Sequence, residues 1–319
     1  MYLKVFKNSI GFLLTILGFF MIGSMPYLFF RMDALREIIV MLDTGQLRNT
    51  LFIYEKMDIY VSEYILHMVE TVKDIVNITE YKYYSYGNYY SLFPQFWDDY
   101  KYSMTILGTS LLLGLSFSIL FTLFLMLLPT QFRNMISKFM YIFESFPDIL
   151  IILLLQYCFI LIYQKTNILV FDIYSFGDKQ PYALPIFCLS IFPTIFMSRY
   201  LLQVFQEEDN RHYVELAKGK GLKRSRILLV HVLRNCLITL LGQGRVFFWL
   251  ALSNLLIMEI IFMMNGFLNF MLINGPKNPE LITFGLIMIY IPFYLFFALL
   301  KFTTSYFNRE GVEGGLSSS

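Results

Sequence analysis

The stretch Asp209–Asn235, DNRHYVELAKGKGLKRSRILLVHVLRN, is the most heavily charged continuous piece of the chain, and it lies between two long apolar runs. Lys218, Lys220, Lys223, Arg224, Arg226 and Arg234 crowd into it, interrupted by Gly219 and Gly221. Asp209 or Asn210 is placed to cap a helix, since a short side-chain oxygen at that position accepts one of the unpaired first-turn amides. Tyr213, Leu216 and Ala217 then share one side of a short amphipathic helix. Glycine just past a helix end is a common stop signal, because it accepts the left-handed conformation at little cost. Leu222 opens a second helix, Lys223 to Asn235, which feeds the next apolar run. The stretch therefore predicts a short helix, a glycine corner and a second helix that re-enters a membrane.

The membrane follows from composition. The 319 residues are 57% hydrophobic and only 15% charged, with a mean hydropathy of +0.59. Soluble domains run at about 45–50% apolar and about 25% charged. The net charge of +2 gives no pull toward nucleic acid, so the charges matter by location.

A helix crossing the ~30 Å hydrocarbon core needs about 20 apolar residues, and six stretches qualify. Together they predict an all-α polytopic protein. Residues 1–30 hold the N-terminus and a first span, Ser9 to Phe30, read as uncleaved because it has no convincing small-x-small site. An outer segment fills 31–102, and a membrane core occupies 103–308. The core spans are expected at about 103–128, 140–163, 182–205, 236–264 and 281–303, with the basic loop at 209–235 and a polar, disordered tail at 309–319.

Lys and Arg in the short connections set the orientation. Lys4, Lys7, Arg133, Lys138, the basic loop, Lys301 and Arg309 fall on one side, which places both termini in the cytoplasm. The outer segment is rich in acids, among them Asp33, Glu37, Asp43, Glu55, Asp58 and Glu63. Its periodicity predicts a short helix over Asp33–Leu42 and a longer amphipathic one over Leu47–Val76. The tyrosine cluster Tyr81–Tyr90, followed by Phe93, Phe96 and Trp97, reads as an aromatic belt at the interface, or alternatively as a docking surface or pore lip.

Ionisable residues in spans carry a cost, so each invites a reason. Arg245 and Glu259 stand about four helical turns apart and cannot pair with each other; Glu259 is expected near enough to the outer end to be wet. Glu144 and Asp148 begin the third span at the inner interface, and Arg199 snorkels from the end of the fourth. These residues form no evident proton relay, the feature an ion-driven secondary transporter would need. Cys158, Cys188 and Cys236 show no metal or redox spacing and read as small buried hydrophobes. No hydrolase or nucleotide-binding motif occurs, so the chain is expected to be non-catalytic, to hold no cofactor or metal, and to leave any ATP and Mg to partner subunits.

Glu215-Leu216-Ala217, three residues, then Gly221 resembles the E-A-A…G loop of ABC importer permeases. The context is similar to the oligopeptide/dipeptide/nickel importer family: Tyr213-Val214, Lys220-Gly221-Leu222, His231, Leu233 and Arg234-Asn235 around the loop, Thr105-Ile106-Leu107 and Leu111–Gly114 in the second span, Phe146-Pro147, and Glu259, Phe262 and Gly266-Phe267-Leu268. The long outer segment resembles the first of that family's two permease subunits. Leu216, Thr239 and Asn265 depart from the pattern, replacing an alanine and two prolines.

The resemblance implies the type I permease fold. It also implies a second homologous permease, two cytoplasmic ATPases and an extracytoplasmic binding protein as partners, in the lipid bilayer of a bacterial plasma membrane. The 210–221 helix would seat in an ATPase groove, with Tyr213, Glu215, Leu216, Ala217, Gly219, Gly221 and Leu222 forming the coupling site. Glu215 and the flanking bases would make polar contacts there, Ala217 would allow close approach and Gly221 would fix the corner. Peptides are the expected cargo, with nickel or a metal chelate as the alternative.

Overall fold

Helix ends in this chain fall where proline, glycine and polar residues interrupt the apolar runs. The computed structural model describes residues 2–46, 57–175 and 179–316. In chain order the helices are α1 (Tyr2–Gly23), α2 (Pro26–Phe29), α3 (Met32–Asp43), α4 (Val61–Val76), α5 (Gln95–Leu127), α6 (Thr130–Glu144), α7 (Asp148–Thr166), α8 (Ala183–Asp209), α9 (His212–Gly219), α10 (Arg224–Arg226), α11 (Leu233–Ile261), α12 (Phe267–Asn274) and α13 (Pro279–Leu316). Between α4 and α5 lies a hairpin of β1 (Lys82–Ser85) and β2 (Asn88–Ser91). Among the described residues, five helices are long and apolar enough to cross a membrane: Gln95–Leu127, Asp148–Thr166, Ala183–Asp209, Gly242–Ile261 and Pro279–Ala298. Helix is the expected state there, since lipid supplies no partner for a free amide or carbonyl.

Several boundaries differ from the sequence expectation. The first apolar run breaks after Gly23, where α1 ends and Pro26 restarts the chain as α2, so the stretch expected from Ser9 to Phe30 is not one continuous helix. Pro147 splits the expected third span: its ring and missing amide disfavour a helix interior, and here it stands at the N-cap of α7. Met140–Glu144 therefore belong to the amphipathic α6, and the membrane-length helix α7 starts at Asp148. At the C-terminal end α13 continues to Leu316, so the polar stretch from 309 is helical that far, and 317–319 lie outside the described residues.

The chain divides into two compact units, Met1–Tyr100 with Phe267–Leu295 and Lys101–Gly266 with Phe296–Ser319. In the first, α3 matches the helix expected over Asp33–Leu42. The amphipathic helix expected from Leu47 begins only at Val61, and its 47–56 portion lies outside the described residues. Ahead of it, the amides of Asp58 and Tyr60 bond the carbonyls of Phe29 and Leu28 at 3.2 and 2.8 Å, which draws that strip of backbone against α2 instead of into a helix.

The hairpin amends an all-α class. Tyrosine favours a pleated, half-buried surface, and Tyr86 and Gly87 (φ 48° and 80°) form the left-handed pair that suits a two-residue hairpin turn. Tyr83 pairs Tyr90 and Tyr84 pairs Tyr89 across the strands. The Tyr84 amide donates to Asn278 Oδ1 at 2.7 Å and Asn278 Nδ2 returns to the Tyr84 carbonyl at 2.9 Å. Ser85 Oγ donates to Asn274 Oδ1 at 2.9 Å, and Tyr83 meets Phe270 edge-on. Tyr83 and Tyr84 are thus buried in a docked hairpin, while Tyr86, Tyr89 and Tyr90 remain exposed.

The second unit has one continuous apolar cluster. Leu125, Met140, Leu201, Phe205, Val214, Ala217, Ile227, Val232, Cys236 and Phe247 belong to it, so α5, α6, α8, α9 and α11 all contribute. Several ionisable residues in and beside its spans have local partners. Arg199 pairs Glu144 at 2.5 Å and lies over the Tyr141 ring. Asp148 accepts from Asn254 Nδ2 at 2.8 Å, and the Arg245 guanidinium lies 5.7 Å from the Phe297 ring centre. Glu259 is fully buried rather than wet, and accepts from Ser103 Oγ at 2.5 Å. Cys188 and Cys236 are buried as expected, while Cys158 is exposed.

Candidate functional site

The basic loop folds as a helix, a corner and a second helix. α9 begins at His212 after Arg211 in extended backbone, and no side chain caps it. Asp209 and Asn210 are not its caps, because α8 runs on to Asp209 and that carboxylate is engaged elsewhere. The C-terminus closes on Gly221. The Leu222 amide bonds the Ala217 carbonyl at 3.2 Å, and the Gly221 amide bonds that of Lys218 at 3.0 Å. This is the Schellman arrangement, which requires a left-handed residue at the Gly221 position, and φ there is +73°. Gly219, by contrast, is the last residue of the helix and has open space where a Cβ would sit.

Which side of α9 faces in differs from the sequence reading. Val214 and Ala217 are buried against Ile227, Leu228, Leu201 and Phe205, with Tyr213 and Leu222 partly buried beside them. Leu216 is 62% exposed and stands with Glu215 and His212 on the outward face. The small side chain of Ala217 therefore lets α9 approach its own chain closely. The outward surface consists of His212, Glu215, Leu216 and the lysines of the corner.

Two adjacent acids at the end of α8 hold this piece. Glu208 Oε2 accepts from the Tyr213 hydroxyl at 2.7 Å and from Asn235 Nδ2 at 3.3 Å, while Arg211 Nε lies 3.7 Å from its Oε1. Asp209 Oδ1 accepts from Arg224 at 2.5 Å, with Lys218 Nζ at 3.7 Å. Glu208 thereby ties the start of α9 to α11, and Asp209 ties the end of α9 to α10. Both carboxylates are under a fifth exposed, so they are screened less than surface pairs. Burial, and then the bond to Glu208, push the Tyr213 hydroxyl up to about 12. It stays protonated at neutral pH and is the donor in that contact.

After the corner, α10 passes into a π-helical segment, Ile227–Val232, and then into α11. The wider π turn is uncommon and occurs often at functional sites. Here Ile227, Leu228 and Val232 all turn inward onto the cluster that receives α9. Sequence reasoning placed the corner and both helices but missed Glu208, Asp209, Arg224 and Asn235 as the clasp. The signal available was the acidic run Glu207-Glu208-Asp209 directly before the bases.

Residues 110–310 match the family described as the binding-protein-dependent transport system inner membrane component. The chain belongs to that family. No curated protein matches it. The matched region runs from within α5 to within α13 and contains the whole basic loop. The protein is thus a multi-pass membrane permease subunit of an ABC importer, a class that works with ATPases and binding proteins and is generally non-catalytic.

Proposed function

We propose that this permease forms half of a translocation path for peptides delivered by an extracytoplasmic binding protein, and that α9 is the piece seated in a cytoplasmic ATPase. The path's other half would be a second, homologous permease. The observation that carries the coupling role is the pair of clasps at Glu208 and Asp209. They fix both ends of α9 to the neighbouring helices, so a push on its outward face moves α8 and α11 as one body. A helix suits this work because its backbone bonds are internally satisfied. On this reading the loop and both termini lie in the cytoplasm, in line with the excess of Lys and Arg there. The peptide assignment rests on the residues around the loop that resemble the oligopeptide/dipeptide/nickel importers, with nickel or a metal chelate as the alternative cargo.

The test is uptake by the reconstituted transporter, with labelled peptides and labelled nickel as separate cargoes. ATP-driven peptide uptake is expected, and Glu215→Lys should abolish it while the subunit still inserts and assembles. Normal uptake by that variant would sink the coupling role, and nickel uptake without peptide uptake would sink the cargo.

A further inference from the structure

The first unit contains a polar cavity of about 140 Å³, bounded by α2, α3, α4, the hairpin and the start of α13. Its size compares with the ~150 Å³ cavity that holds a benzene molecule in a well-studied case, so it suits a ligand of amino-acid size and not an extended peptide. Five charged groups line it: Arg36, Asp74, Lys82, Lys277 and Glu280. Two are already engaged. Lys277 pairs with Asp43. Glu280 accepts from the Tyr81 hydroxyl at 3.3 Å and lies 3.1 Å from His67 Nε2. Arg36, Lys82 and Asp74 remain, with no side-chain ion pair or hydrogen bond among the described residues.

These three do not neutralise one another. No ion pair joins Asp74 to Arg36 or Lys82 among the described residues, and the charges felt by Asp74 include Glu280, Glu70 and His67. Burial first, then Glu280 and Glu70, hold the Asp74 carboxyl above the usual range, so an incoming cation beside it would be favoured. The cavity wall therefore carries an acceptor for an ammonium and two cations for a carboxylate. Tyrosines 27, 81, 84 and 89 form much of the rest of the wall.

We propose that this cavity binds a small α-amino acid zwitterion, with Asp74 taking the ammonium group and Arg36 and Lys82 the carboxylate. The inference does not depend on the importer reading, because binding is measured on the permease alone and transport is not.

The experiment follows the thermal unfolding of the full chain in detergent with alanine, N-acetylalanine, alaninamide and dialanine at equal concentrations. Alanine is expected to raise the midpoint, and the two blocked forms, each lacking one charge, to leave it unmoved. Asp74→Asn and the double variant Arg36→Gln/Lys82→Gln should each weaken alanine binding by about tenfold or more, as loss of a charged hydrogen-bond partner does. Because Arg36 and Lys82 are exposed, the double variant should unfold at the wild-type midpoint without ligand. Equal shifts by all four compounds, no shift by alanine, tighter binding of dialanine than of alanine, or wild-type affinity in the variants would each overturn the proposal.

Discussion

The Tyr213 hydroxyl donates to Glu208 across 2.7 Å and joins the first turn of α9 to the last turn of α8. Tyr213→Phe keeps the ring in the apolar cluster and removes that donor together with the acceptor for Asn235 Nδ2 at 3.3 Å, leaving Glu208 with Asn235 and Arg211. A hydrogen bond to a carboxylate contributes about 1.5–3 kcal/mol when buried, and the partial exposure of Glu208 argues for about 1 kcal/mol. The unfolding midpoint of purified Tyr213→Phe should fall accordingly. If α9 couples ATP to transport, uptake per ATP hydrolysed should fall too, while ATPase binding persists.

The same contact gives a pH prediction. Tyr213 is raised from 10.0 to about 12 in the folded chain, so the unfolded chain loses its proton first as pH rises. Between those values the folded state binds more protons, and stability falls with increasing pH. The contribution is complete below pH 10 and is lost as pH passes about 12. Unfolding midpoints of wild type and Tyr213→Phe should therefore converge across that window. A constant difference from pH 8 to pH 12 would show that the hydroxyl is not held as described.

The two glycines of the basic loop should behave oppositely. Gly221 has φ +73°, where an L side chain costs roughly 1–2 kcal/mol, so Gly221→Ala should lower the midpoint and disturb the corner. Gly219 ends the helix in open space, and alanine there gains up to about 1 kcal/mol of helix propensity. Gly219→Ala should be neutral or stabilising. Equal losses from both would contradict the corner geometry.

Much of the loop was legible because its signals are local: a glycine stop, an apolar restart and a run of bases. The inward face was misassigned because Leu216 and Val214 are both apolar, and only packing decides between them. Val214 lies beneath Ile227 and Leu228 on a π turn that propensity does not announce. The hairpin went unread because six tyrosines near a membrane look like a belt, whereas the decisive cue was Tyr86-Gly87 between alternating strands. Pro147 opens a new helix inside a long apolar run, a boundary that hydropathy alone does not mark. The clasp acids Glu208 and Asp209 were hidden because their partners are three to twenty-seven residues away and meet only in the fold.

If α9 seats in an ATPase, its two faces separate packing from coupling. Ala217→Leu puts three more heavy atoms into a filled cluster, and overpacking of this kind costs about 1–3 kcal/mol. Leu216→Ala removes an apolar side chain that is already 62% exposed, and surface changes stay within about 0.5 kcal/mol. Ala217→Leu should lower the midpoint, and Leu216→Ala should leave it unchanged while weakening co-purification of the ATPase. The reverse order of midpoints would place Leu216, and not Ala217, on the inner side.

The buried pair at the end of α11 gives a sharper structural test. Ser103 Oγ donates to Glu259 at 2.5 Å, and a Cβ on Gly266 would stand only 2.2 Å from the Glu259 side chain. The Met264 amide also bonds the Glu259 carbonyl at 2.8 Å, so the turn after α11 folds back onto this residue. Gly266→Ala must push the carboxyl off Ser103 or open the turn, and losing a partner inside the protein costs about 1–3 kcal/mol. Ser103→Ala removes the same donor without the clash and should cost less. In the double variant the two losses should not add, because each breaks the same contact. Additive losses would mean that Gly266 acts on the turn alone, and the Ser103–Glu259 bond would then be a bystander to it.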